Sequence, residues 1–147
     1  MASLGDNDLK FWALLEAVPA AAFIVDGDVR ILEFNAAAEK ILGVFPKAAI
    51  QRRHGDAVHC VCSESLGCGQ STNCAECILR NSVKSALNGI PSRRKFFRSE
   101  RNHDGHSEQI NFFLTAHKLP ANGNATAILI LEDADETARL CGLHLKP

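Results

Sequence analysis

A chain of 147 residues with 46% apolar content and 16 Lys plus Arg against 17 Asp plus Glu suits one soluble domain with its own core and leaves no room for a second. So even a charge balance creates no field to draw phosphate backbones or anionic lipid, which argues against nucleic-acid and membrane partners. The apolar stretch at residues 14–25 is broken by Glu16 and Pro19 and follows Asp6 and Asp8, unlike a signal peptide; no run approaches the roughly 20 apolar residues of a membrane span, so the expected location is the cytoplasm.

The first element predicted is a short lead-in helix over residues 7–19. Asn7 or Asp8 can cap it, Phe11, Leu14, Leu15 and Val18 recur at helical spacing, and Pro19 stops it. Ala22-Phe23-Ile24-Val25 and Val29-Arg30-Ile31-Leu32-Glu33-Phe34 then flank Asp26-Gly27-Asp28, which reads as a β-hairpin around a tight turn. Asn35 is placed to cap a helix through Leu42, with Gly43 ending it.

Periodicity is lost over residues 44–73, where Pro46, Gly55, Gly67 and Gly69 are scattered. A stretch this long is expected to be functional, or held by something other than a core. Asn73 stands three residues before Glu76, a capping-box-like spacing, and opens a predicted helix with Leu79, Val83, Ala86 and Leu87 on one face, closed by Asn88-Gly89.

The last third alternates as strands do. Residues 95–98 are followed by Ile110, Phe112, Leu114 and Ala116 on one face, then by Ala127, Leu129 and Leu131; turns at Asp104-Gly105 and Asn122-Gly123 make an antiparallel meander. Arg93-Arg94-Lys95 reads as the charged outer positions of an edge strand. Residues 133–147 read as a terminal helix or linker.

This order, with particular residues, resembles the PAS family. The opening Leu14-Leu15-Glu16-Ala17-Val18-Pro19, Phe23-Ile24-Val25-Asp26 and Ile31-Leu32-Glu33-Phe34-Asn35-Ala36 through Gly43 is similar to the family's helix, hairpin and Asn-capped helix. Ile128-Leu129-Ile130-Leu131-Glu132-Asp133-Ala134-Asp135-Glu136-Thr137 is similar to its last strand entering a signalling helix. The resemblance implies an α+β fold: a five-stranded antiparallel sheet with helices on one face, a lead-in helix, a PAS core over residues 20–132 containing a cysteine loop at 55–77, and a C-terminal helix. It also implies a sensory, non-enzymatic module, a homodimer with a kinase or regulator as partner, and a signal relay through Asp133, Asp135 and Thr137. Gly55-Asp56-Ala57-Val58-His59-Cys60, Gly67-Cys68-Gly69 and Cys74-Ala75-Glu76-Cys77 resemble a cysteine-bearing subgroup of bacterial signalling PAS domains, in which Cys60, Cys68, Cys74 and Cys77 match and Cys62 is an addition.

The cysteines carry chemistry of their own. Five of the six, Cys60, Cys62, Cys68, Cys74 and Cys77, fall within 18 residues, and in a reducing compartment such clustering points to metal binding or redox work. Tetrahedral zinc and iron-sulfur clusters both take four thiolates from close chain pairs and one loop closure. Cys74 and Cys77, placed in the first turn of the predicted helix, form the pair; glycines let Cys68 approach an ion, and Cys60 or Cys62 completes the set. Zinc stands slightly ahead of an iron-sulfur cluster because a closed four-thiolate site needs no special assembly.

Ile78 rather than His follows Cys77, residues 74–89 hold no His, and the flavin-holding Arg and Gln of photoreactive relatives are unmatched after Asn73-Cys74, which argues against haem and flavin. His54 and His59 could replace a thiolate, with exposed loop histidines the simpler reading; His103, His106, His117 and His144 read as surface residues, and Cys141 as a small buried hydrophobe. Phe11 and Trp12 suit a core or a dimer contact equally. Two other functions remain open: a thiol-disulfide oxidoreductase with Cys74 attacking and Cys77 resolving, and a dimerisation module stapled by zinc.

Overall fold

A computed structural model describes residues 6–42, 46–57, 67–68, 77–103, 105–120 and 123–142. Five strands form one antiparallel sheet: β1 (Ala21–Asp26), β2 (Ile31–Phe34), β3 (Ser92–His103), β4 (His106–Leu119) and β5 (Thr126–Asp133), in the order β2-β1-β5-β4-β3. The helices are α1 (Asp6–Ala17), α2 (Glu39–Leu42), α3 (His54–Ala57), α4 (Ile78–Leu87) and α5 (Ala134–Leu140), with 3-10 turns at Ala36–Ala38 and Pro46–Ala49. Among the described residues no helix is long and apolar enough to cross a membrane.

Strand alternation gives the sheet two apolar faces. Phe23, Val25, Ile31, Leu114, Leu129 and Leu131 point to one side, where α4 lays Leu79, Val83 and Ala86 over them. Ala22, Ile24, Ile128 and Ile130 point to the other, where α1 covers them with Phe11, Trp12, Leu15 and Val18. Phe11 and Trp12 therefore pack against the sheet, their own two rings edge to face at 6.3 Å. Leu14, expected among the inward positions, is 70% exposed. The inward stripe instead runs through Phe11, Trp12, Leu15 and Val18, displaced by about one residue around the helix.

Asn35 ties these layers together. Its Oδ1 accepts from Ala22 N at 3.0 Å and Ala38 N at 3.1 Å, while its Nδ2 donates to Leu15 O at 3.0 Å, Ala20 O at 2.9 Å and Val18 O at 3.3 Å. The predicted cap is thus present, but what it caps is first the 3-10 turn and only then α2. The same amide satisfies carbonyls left at the end of α1.

The hairpin turn differs from a simple glycine turn. Asp26 Oδ1 accepts from both Asp28 N and Arg30 N at 2.9 Å, an Asx-type turn. The residue that takes positive φ is Val29, at 54°, so regular pairing in β2 begins at Ile31 and not at Val29 as the sequence suggested. A β-branched residue there is strained, and Val29 is held by burial in the inner core. The β3–β4 hairpin is longer than its apolar alternation, because polar residues continue the pairing to His103 and His106. A register shift and the positive φ of Arg94 mark a bulge in β3 between Ser92 and Lys95, which blunts the sheet edge as the basic run suggested.

Part of the segment expected to lack order is ordered. Ile31 N donates to Arg52 O at 2.9 Å, Gln51 N to Ile31 O at 2.6 Å and His54 N to Val29 O at 2.8 Å, so residues 51–54 run along the outer edge of β2 and satisfy its backbone. Ala49, His54 and Ala57 are buried there. Small residues gave no periodic signal, yet they let the chain lie close to the sheet.

Replacing Asn35 by Ala removes five hydrogen bonds, those of Ala22 N and of the Val18 and Ala20 carbonyls among them, and is expected to cost about 3 kcal/mol or more in urea unfolding. Asn35→Asp keeps both acceptor bonds but loses every donor, and should also destabilise; an Asp variant of wild-type stability would show that the three carbonyl contacts contribute nothing.

Candidate functional site

The cysteines expected to share a site divide by what the structure describes. Cys60, Cys62 and Cys74 lie outside the described residues, as do Gly43, His59 and His144. Cys68 and Cys77 are described, both half-buried and both packed against the inner core. Cys77 is the N-cap of α4, extended with φ −64° and ψ 117° and with no side-chain cap bond. The helix that carries Leu79 and Val83 therefore starts at Ile78. Cys77 precedes its first turn rather than standing inside it, with its sulfur unused in capping.

Cys68 meets a charged network that the sequence reading did not anticipate. Arg80, one turn into α4, donates from Nη2 to Cys68 O at 3.4 Å and approaches Cys68 Sγ at 3.7 Å. The same nitrogen reaches Asp28 Oδ1 at 3.4 Å and Asp28 O at 3.5 Å. Asp28 also accepts from Arg53 Nε at 2.8 Å and lies 3.7 Å from Arg30. Three arginines from β2 and its edge segment and from α4 thus converge on one carboxylate in the hairpin turn.

Partial burial acts to raise the Asp28 carboxyl, but the hydrogen bonds and charges of Arg53 and then Arg80 outweigh it and leave it below the ordinary value of 3.8. Burial likewise works against the Arg80 charge, and contacts with Cys68 and Asp28 more than restore it. Sequence offered little to find this network. Asp28 read as a turn residue, and nothing in the sequence marked Arg80, three positions after Cys77.

His54 is a second surprise. Expected at the surface, it is 4% exposed and stands edge-on to Phe23 with ring centroids 4.8 Å apart. Among the described residues its Nε2 has no hydrogen-bond partner, as is true of Arg80 Nε and Ser82 Oγ. Desolvation lowers its pKa from 6.5 to about 4. His106 and His117 are exposed as expected. Cys141, expected to be buried, is exposed at the end of α5, because Ala134 and Ala138 supply that helix's inward face.

Asp133, Asp135 and Thr137, expected from the resemblance to relay a signal, meet at the junction of β5 and α5. Asp133 pairs with Phe112 in the sheet and then caps α5, its Oδ1 accepting from Asp135 N at 2.9 Å and Glu136 N at 3.0 Å. Thr137 Oγ1 donates back to Asp133 O at 3.0 Å, and Asn111 Nδ2 lies 3.4 Å from the Asp135 carboxylate. The helix start is therefore bonded to β4 as well as β5.

Protonation of His54 is disfavoured in the fold and free in the unfolded chain. Its contribution is complete above pH 6.5 and is lost as pH falls from 6.5 towards 4, by roughly 3 kcal/mol. Urea titrations at pH 7 and 4.5 should show wild type losing more stability than His54→Leu; the difference between the two chains cancels carboxylate effects. Equal losses would mean that His54 is not buried neutral.

Comparison with known proteins agrees with this architecture. The PAS fold family model matches residues 10–63. A domain of the sensory box sensor histidine kinase/response regulator from Geobacter sulfurreducens aligns with TM-score 0.59 at 20% identity, over 86% of this chain and 94% of that one. The PAS domain of Bordetella pertussis BvgS aligns with TM-score 0.54 at 16% identity, over 94% and 93%. The PAS domain of the HTR-like protein from Haloarcula marismortui gives 0.53 at 17%, over 88% and 99%. No curated protein matches the sequence. With its α1 on one sheet face, α4 on the other and strand order β2-β1-β5-β4-β3, the chain has the fold of a PAS domain.

Proposed function

We propose that the chain is a sensory signal-transduction module in which the cysteine loop holds a metal centre, zinc or an iron-sulfur cluster, with Cys68, Cys74, Cys77 and either Cys60 or Cys62 as ligands. The observation that carries this reading is the pairing of Cys68 with a cation. A four-thiolate centre keeps excess negative charge, and Arg80 presents a guanidinium 3.7 Å from Cys68 Sγ. Cys77 fits the same role, since its sulfur stands at the head of α4 and makes no cap bond. Thiolates next to a helix start are favoured by its unpaired amides.

The module would respond to redox state, oxygen or a small ligand at this loop. Output would pass along the sheet to Asp133, Asp135 and Thr137 and then through α5 to a second copy of the chain and to a kinase or regulator. The solved sensor histidine kinase domain among its structural neighbours supports that kind of partner. Leu9 and Leu14 on α1 and Leu140 on α5, each more than half exposed, offer apolar contacts for assembly. The position of Cys77 also supports a dithiol reading, in which Cys74 attacks a disulfide and Cys77 resolves it.

Protein prepared anaerobically with zinc, or with iron and sulfide, is expected to hold one ion or one cluster per chain by elemental analysis. Cys68→Ser and Cys77→Ser should each reduce retention at least tenfold. Apo protein that reduces disulfides while taking up neither zinc nor iron would replace the metal reading with the dithiol one.

A further inference from the structure

We infer that the open edge of β3 is a docking edge, which takes up an extended acidic segment of a partner protein as a sixth strand. Its use does not depend on whether the cysteines bind a metal.

β3 is bonded to β4 on one side, and among the described residues no other segment bonds to its backbone. From Lys95 to His103 the pairing runs without interruption, so the bulge blunts only the first residues of the strand. No proline falls between Ser92 and His103. An edge strand of this length leaves alternate N–H and C=O groups facing outward, a template that another extended chain can complete.

The side chains along this edge select its occupant. Within β3, Arg93, Arg94, Lys95, Arg98 and Arg101 stand against one carboxylate, that of Glu100. Arg101 is paired with Glu108 at 3.2 Å and Arg94 with Glu132 at 3.2 Å, whereas Arg93, Lys95 and Arg98 have no carboxylate partner among the described residues. Arg94 lies over the Phe113 ring at 5.0 Å; Arg98 lies over Phe96 at 5.8 Å and donates from Nε to Asn111 Oδ1 at 3.0 Å. A guanidinium has five N–H groups, so both keep donors for a further carboxylate. Phe96 is 45% exposed and edge to face with Phe113, and neither ring belongs to the cluster under α1. The row Arg94, Phe96, Arg98 therefore suits an acidic, an apolar and an acidic residue at alternate positions of an added strand.

Two other occupants fit this edge less well. A second copy of β3 would bring the same cationic excess against itself. A nucleic acid supplies phosphate acceptors but no regular row of backbone donors, so the outward C=O groups would gain no partner.

The test uses the full chain and a capped ten-residue peptide with Glu, Leu and Glu at alternate positions and Thr between them. Affinity is measured by fluorescence anisotropy, amide exchange of residues 92–103 by mass spectrometry, and the folding of each variant by circular dichroism. The peptide should slow exchange across β3, and a counterpart with Lys for Glu should not. Arg98→Glu should weaken the Glu peptide about fivefold or more and improve binding of the Lys peptide. Of two Glu peptides N-methylated on alternate sets of amides, one should bind and the other should not, because only one set faces β3. A Glu peptide that leaves exchange at residues 92–103 unchanged would overturn the inference. Equal binding of the two methylated peptides would also overturn it, since adsorption by charge alone ignores the backbone. Free protein that is a dimer with residues 92–103 already protected would give the edge to a second copy, and an oligo-dT that binds tighter than the peptide and protects the same residues would give it to nucleic acid; either result would sink the acidic-strand reading.

Discussion

A single buried amide governs how the two faces of this sheet are closed. The chain has to leave α1 on one face, turn through residues 18–20 and enter β1, and that passage breaks regular backbone hydrogen bonding. Asn35 answers the carbonyls of Leu15, Val18 and Ala20 with its donors, and the amides of Ala22 and Ala38 with its acceptor. It is 1% exposed, so water cannot take over any of these contacts, and a side chain without both a donor and an acceptor end cannot satisfy them. The seating of Phe11, Trp12 and Leu15 over Ile24 and Ile128 follows from that anchor.

At the other end of the hairpin the constraint is electrostatic. Asp28 collects guanidinium groups from Arg30, Arg53 and Arg80, which come from three separate parts of the chain. Being partly exposed, these pairs add less stability than their number suggests; their effect is to fix direction. Arg53 holds the segment that runs along β2, and that segment places Ala49, His54 and Ala57 in the core. Burying His54 with no partner for Nε2 among the described residues costs stability. The edge-on contact with Phe23 and the backbone bond to Val29 hold it in place all the same.

How much of this was legible depended on whether a residue's role was set locally. Asn35 as a cap, the inward alternation of Leu114, Ala116, Ala127, Leu129 and Leu131, and the turn from Asp133 into a helix all follow from neighbours within a few positions, and the sequence reading found them. Leu14 was misplaced because a helix next to a flat sheet accepts stripes that differ by one residue, and only the packing of Trp12 decides between them. Residues 46–57 looked unstructured because what orders them is backbone bonding to β2, to which side-chain periodicity is blind. Cys141 was placed in the core on residue type alone, although two alanines already filled the inward side of α5. The clustering of cysteines was plain from the sequence, but the placing of Arg80 and Asp28 beside Cys68 was not. They stand 12 and 40 positions from Cys68 in the chain, and only the packing of α4 across the hairpin brings them together.

The placement of β5 connects these separate devices. It lies between β1 and β4, with Ala127 and Leu129 fully buried on the inner face and Ile128 and Ile130 under α1 on the other. Its first residue pairs with Asp26, which holds the turn containing Asp28; its last is Asp133, which caps α5. A strand bonded on both sides and packed on both faces cannot bend to absorb a displacement at one end. The turn that holds Asp28 and the helix junction thus lie at the two ends of one stiff element. There, Asn111 to Asp135 is a long contact at 3.4 Å, while the capping bonds to Asp135 N and Glu136 N are short. The cap keeps α5 attached to β5, Asn111 adds a longer tie to β4, and the buried Ala134 and Ala138 seat the helix against the sheet.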